Sequence, residues 1–119
     1  MTDPIAEFNA EATRHGSDIT LSLSDGELRY RVVKVTDRLL ITPTFEIVLN
    51  LAKMHPPAQT VIDLASCRVV SSVELTFIGF VLTQVRFHGG KIRIACPSPV
   101  NRRALAMVGF DRLADMEPA

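Results

Sequence analysis

Two adjacent hydroxyls, Ser71 and Ser72, with Glu74 just beyond them, are the side chains of this sequence best placed to do chemistry. They follow a short apolar run, Val61-Ile62-Asp63-Leu64, and the segment Cys67-Arg68-Val69-Val70, and they head a helical stretch that stops at Gly89-Gly90. The amino end of a helix carries unsatisfied N–H groups and the positive end of the helix dipole, so a phosphate there is well tolerated. A serine in that place is a cap, a phosphorylation site, or both. Ser71 with Glu74 three residues on fits the capping box, in which serine and glutamate each bond the other's backbone. Ser72 then takes the first helical position, where its hydroxyl is not needed for the cap and can point outward and be modified. The charge of Glu74, one turn from Ser72, completes the cap, imitates a modified state or repels a phosphate; the spacing leaves all three open.

Other chemistry finds no support. His15, His55 and His88 are scattered, and none is expected to pair with a carboxylate. Gly89-Gly90 lacks the lysine and the strand-to-helix setting of a phosphate-binding loop and reads as a helix stop. Cys67 follows a strand, where a thiolate nucleophile could sit, but only Arg68 supplies positive charge beside it. No catalytic residue, metal site or cofactor is therefore expected, and the chain reads as a non-enzyme. Cys67 and Cys96 form no Cys-x-x-Cys pair and read as free thiols of a reducing compartment. The first residues do not resemble a signal peptide, and no run is long enough to span a membrane, so the expectation is a cytoplasmic protein without direct membrane insertion. Thirteen acids balance thirteen bases, with no basic run to bind nucleic acid.

The elements that must position the serines follow from local pattern. A chain of 119 residues makes one domain with a single core. Residues 1–16 read as an N-terminal segment, a short helix around 5–12 or disordered, and 17–116 as the domain proper. Ile19, Leu21 and Leu23 alternate with polar residues in the period of a half-buried strand. Asp25-Gly26 supplies a hairpin turn, and a second strand runs through Leu28, Tyr30 and Val32 toward Thr36. Thr42 as cap and Pro43 at the first helical position open a helix to about Met54, broken by His55-Pro56-Pro57. A strand at 61–64, the helix at Ser72, a strand at 91–96 and a last helix from Ser98-Pro99 to Gly109 complete the order. This alternation after a hairpin predicts a layered α/β domain with a mixed, mostly parallel sheet and helices packed against it. The strands at 61–64 and 91–96 should be parallel neighbours joined by a right-handed crossover. The core should include Val61, Ile62, Leu64, Ile78, Leu82, Ile92, Ile94 and Leu105.

On the helix that starts at Ser72, Ile78, Val81, Leu82 and Val85 cluster on one face at 100° per residue, and that face is assigned to the sheet. Phe80 and Phe87 come out opposite, beside Thr76 and Thr83. An apolar patch on an outer face suggests docking, unless the terminal helix or the amino-terminal segment covers it.

The order of residues from 61 to 90 resembles the phosphoacceptor region of the STAS domain of anti-sigma-factor antagonists. That family shows a strand with an Asp-containing apolar run, then Asp-Ser-(Ser/Thr)-Gly-Leu opening a helix that ends in Gly-Gly. Here Ser71-Ser72 stands on the Asp-Ser pair, Leu75 on the Leu, and Gly89-Gly90 on the closing pair. Lys91-Ile92-Arg93-Ile94-Ala95-Cys96 is similar to the next strand, and residues 98–110 to the terminal helix. The resemblance spans about residues 18 to 115 and needs no gaps between 61 and 110. Two acidic positions of the family are Ser71 and Leu40 here, and Glu74 replaces a Gly.

The resemblance implies a STAS-like protein-interaction module of bacterial signal transduction and transcription regulation. It implies an anti-sigma factor, or a related serine kinase, as partner, released when Ser72 is phosphorylated. The expected contact surface comprises Arg68, Val70, Ser72, Thr76 and Phe80, with Ser71 and Glu74 as the helix cap. A homodimer stays open. The missing acids at 71 and 40 favour a second reading, a STAS-like scaffold without a phosphorylation cycle, as a subunit of a signalling assembly or lipid-transport complex.

Overall fold

A tight turn sets the architecture in motion. In the computed structural model, which describes residues 3–54 and 59–117, Asp25 and Gly26 both adopt positive φ, 53° and 75°, the pair a two-residue hairpin turn demands. They join strand β1 (Asp18–Ser24) to the antiparallel strand β2 (Glu27–Lys34). Every later strand pairs in parallel: β3 (Gln59–Asp63) with β2, β4 (Ile92–Ala95) with β3, and β5 (Asp115–Glu117) with β4, in sheet order β1-β2-β3-β4-β5. The α/β class, the mixed sheet and the parallel neighbourhood of β3 and β4 are thus as expected. Strand β5 has no counterpart in the sequence reading, since three residues carry too little pattern to register.

Register separates the two faces of the sheet. Leu21, Tyr30, Ile62, Ile94 and Met116 stand in one row, and this face carries the core. Helix α1 (Pro4–Arg14) buries Phe8 and Ala12, so the amino-terminal segment contributes to the same core. Phe8, Tyr30 and Phe77 form an aromatic triad with ring centroids 5.4 to 5.9 Å apart. The side-chain amide of Asn9 donates to the carbonyl of Leu21 at 2.9 Å and accepts from its N–H at 2.8 Å, which fastens α1 to the outer strand. All eight residues expected in the core are buried.

The next row, Ser22, Arg29, Val61, Arg93 and Asp115, lies on the opposite face. There Glu27 joins Arg29 (3.0 Å) to Arg93 (2.9 Å), Arg29 continues to Asp63 (2.9 Å) and Arg93 to Glu117 (2.6 Å). Val61 sits between the two arginines of this row and is fully buried. Arginine stems cover apolar surface while their charged ends stay wet, and a connected ion-pair chain outweighs isolated surface pairs, which are worth about 0–1 kcal/mol each.

Helix α2 (Thr42–Ala52) begins one residue earlier than its expected cap implies: Ile41 is the N-cap, Thr42 is already helical and Pro43 is one position further in. No side-chain cap bond forms there. The helix ends at Ala52 with Lys53 as C-cap; the expected breaker His55-Pro56-Pro57 lies outside the described residues. Helix α3 (Ser72–Phe87) stops as expected, with Gly89 at positive φ and the Gly90 N–H returning to Val85 O at 2.9 Å. Helix α4 (Pro99–Met107) opens on Ser98, whose hydroxyl accepts from the Asn101 N–H, and closes at Gly109.

Candidate functional site

The amino end of α3 is built from the chain outward. Ser71 is its N-cap, with the extended backbone a cap requires, and Ser72 is the first helical residue. The Ser71 N–H donates to Glu74 Oε1 at 2.8 Å, the Ser71 hydroxyl donates to the same carboxylate, and the capping-box arrangement is complete. The second Glu74 oxygen accepts from the Val35 N–H at 2.7 Å, just beyond the end of β2. Burial alone would push this carboxyl up; the bonds from the Ser71 hydroxyl and from the Val35 and Ser71 amides outweigh it and hold Glu74 below the usual glutamate range. Glu74 is 3% exposed, so its charge completes the cap and stays inside the protein.

Ser72 is exposed, and its hydroxyl takes part in none of the cap bonds. Thr76, one turn on, is also exposed and donates to the Ser72 carbonyl at 2.8 Å. A phosphate on Ser72 would therefore stand at the positive end of α3 without breaking a cap bond.

Beside this helix end lies a groove of about 590 Å³. One wall is the end of β2 and the following turn, with Val33, Lys34, Val35 and Asp37; the other is the loop carrying Arg68 and Val69; Ser71, Val73 and Glu74 form its floor. Val69 is 67% exposed, an apolar side chain displayed to solvent. The groove surface is mostly apolar, and Lys34, Asp37, Arg68 and Glu74 are the charged residues that line it.

The structure brings together some of the expected contact residues and separates others. Arg68, Ser72 and Thr76 are exposed around the helix end. Val70 is a correction: it is 6% exposed, turned into the core, with its N–H bonded to Asn101 Oδ1 at 3.0 Å, and Val69 is the residue displayed instead. Phe80 is a second correction. It is half-buried and packs against Phe45 of α2, ring centroids 4.5 Å apart, so its face is covered by α2 and by neither element considered from the sequence. Phe87 alone of the pair is open, at 81% exposure. Leu40, where the family shows an acid, is partly buried against the core, and the acid on that side of the groove is Asp37.

Cys67 and Cys96 are both free and buried. Burial pushes both thiols up, and the charge of Glu74 adds to this at Cys67. Neither is therefore primed as a thiolate. Among the described residues no three His, Cys, Asp or Glu side chains are grouped to hold a metal ion, and no helix is long and apolar enough to cross a membrane.

The hairpin, the parallel crossover units and the helices laid on the sheet define a STAS-like layered α/β fold. Among solved structures this fold is shared by the Thermotoga maritima protein TM1081. Its crystal structure, that of a candidate anti-sigma factor antagonist, matches with a TM-score of 0.65 at 16% identity, over 91% of this chain and 91% of that one. The NMR structure of TM1081 matches with a TM-score of 0.66 at 17% identity, over 81% of this chain and 77% of that one. No family model and no curated protein matches the sequence. At these identities the likeness is one of fold.

Proposed function

We propose that this chain is a protein-interaction module of the anti-sigma-factor-antagonist type, acting in the bacterial cytoplasm, whose partner binding is switched by phosphorylation of Ser72. The observation that carries the reading is the exposed Ser72 hydroxyl at the first position of α3, beside an apolar groove and free of the cap. The partner would be an anti-sigma factor with serine-kinase activity, contacting Arg68, Val69, Ser72 and Thr76 and placing an apolar side chain in the groove. Phosphate adds about two negative charges and three acceptor oxygens to this rim. It costs the fold little there, because the helix dipole favours it, yet it clashes with an apolar or acidic partner patch. Binding is switched without refolding.

The scaffold reading draws on Ser71 and Leu40, which leave two carboxylates out of the kinase-facing surface. One experiment separates the two. A partner is captured on the tagged chain, identified by mass spectrometry, and titrated by calorimetry. Ser72→Asp should weaken the complex at least tenfold, about 1.4 kcal/mol, while Ser72→Ala binds like the wild type and resists phosphorylation by the partner. Equal affinity for all three chains would reject the switch and leave the scaffold.

A further inference from the structure

One wall of the groove is held from a distant part of the chain. The loop 67–70 displays Arg68 and Val69 and turns Cys67 and Val70 inward. Its backbone is gripped by a side chain of α4: Asn101 Oδ1 accepts from the Val70 N–H at 3.0 Å, and Asn101 Nδ2 donates to the Cys67 carbonyl at 2.9 Å and lies 3.5 Å from that of Arg68. These bonds bracket the two displayed residues and cross 31 to 34 positions of sequence.

Asn101 is 1% exposed and shares its helix face with Leu105, one turn on and fully buried. An inward-facing helical position beside a core leucine is where an aliphatic residue packs by default, and a buried amide is costly unless its hydrogen bonds are made. Here both ends of the amide are used on the loop, and the helix cap does not need them: the Asn101 N–H goes to the Ser98 hydroxyl at 3.3 Å. An aliphatic side chain at 101 would leave a buried N–H and a buried C=O of the loop without partners. The residue is therefore fitted to the loop rather than to α4.

We propose that Asn101 is the positioning residue of the partner surface: from α4 it fixes the wall that presents Arg68 and Val69, and so couples the C-terminal helix to recognition at the head of α3. The inference rests on the groove being the partner surface. Asn101 touches no partner itself. It acts through the backbone of residues 67–70, so its effect on binding must pass through the side chains that loop displays.

That last requirement gives the test. Full-length chains carrying Asn101→Ala, Val69→Ala or both are titrated by calorimetry against the partner captured with the wild type, with Ser72→Asp as reference. Amide hydrogen exchange is followed by NMR in each free chain. Asn101→Ala should speed exchange of the Val70 amide at least tenfold more than that of Ile78, which reports global opening. It should weaken binding at least fivefold, and in the double variant the two losses should fall well short of additive, because both act on one contact. Asn101→Ser, smaller and still polar, serves if the alanine chain does not fold, and should show the same pattern in milder form. Additive losses, or Val70 exchange that merely tracks Ile78, would overturn the role of Asn101 while a normal Ser72→Asp effect left the switch standing. Unchanged binding in every variant, Ser72→Asp included, would instead sink the groove as a partner surface and the role of Asn101 with it.

Discussion

The two walls of the groove are held by the same device in two chemistries. On one side a carboxylate, Glu74, reaches 39 positions back to the Val35 N–H; on the other an amide, Asn101, reaches 31 positions back to the Val70 N–H. Both side chains are almost fully buried, and both satisfy backbone that no sheet or helix ladder serves. The difference lies in charge. Glu74 must stay ionised in a buried place and does so only because the Ser71 hydroxyl and two amides converge on it, whereas Asn101 has no ionisation state to protect. A strand end and a helix start can thus be locked by a charge, which binds more strongly, and a loop by a neutral group, which answers to fewer conditions.

The largest expected effect comes from the charged wall. Glu74→Ala removes the acceptor for Val35 and Ser71 together and should cost about 3 kcal/mol in chemical denaturation. Its pH signature follows from the direction of the shift. The folded carboxyl ionises below the ordinary glutamate value of about 4.3, so its stabilisation is complete above that value and is lost as pH falls through the folded one. The stability gap between wild type and Glu74→Gln should accordingly close on acidification. If it widened instead, the carboxylate would not be the ionised partner of these amides.

The neutral wall should give a smaller and flatter response. Asn101→Ala is expected to cost about 2 kcal/mol, with a gap to wild type that stays constant over the pH range in which that of Glu74→Gln closes. A gap that moved with pH would mean the loop is held by something that titrates. Smallest are the two serines at the head of α3. Ser71→Ala should cost about 1 kcal/mol as the loss of an N-cap, and Ser72→Ala less than about 0.5 kcal/mol as an exposed change. The reverse order in unfolding experiments would exchange their assignments.

Much of the scaffold could be read from the chain because it depends on local signals. Asp25-Gly26, Ser98-Pro99 and Gly89-Gly90 each dictate a backbone geometry through a few neighbouring residues, and the segments 61–64 and 91–96 carry the buried apolar residues of two strands. The site was legible only in part, and the reason is the same one inverted. A loop has no period, so nothing at Val69 or Val70 says which valine turns inward; that is decided by Asn101, on another element. A helical wheel places Phe80 opposite the sheet but does not know that Phe45 of α2 arrives there. Asn101 reads as an ordinary polar residue in the first turn of α4 until the loop is folded against it.

The bond between Asn9 and Leu21 bears on how the molecule behaves in a crowd. Strand β1 is one of the two outer strands of the sheet, and an outer strand offers a row of free N–H and C=O groups on which another chain can crystallise as a further strand. Asn9 fills both groups of one residue in that row, and the helix that carries it is anchored in the core by Phe8. A passing strand would have to displace an element of the core before it could pair there. Adhesion by backbone is thereby discouraged at this border of the sheet.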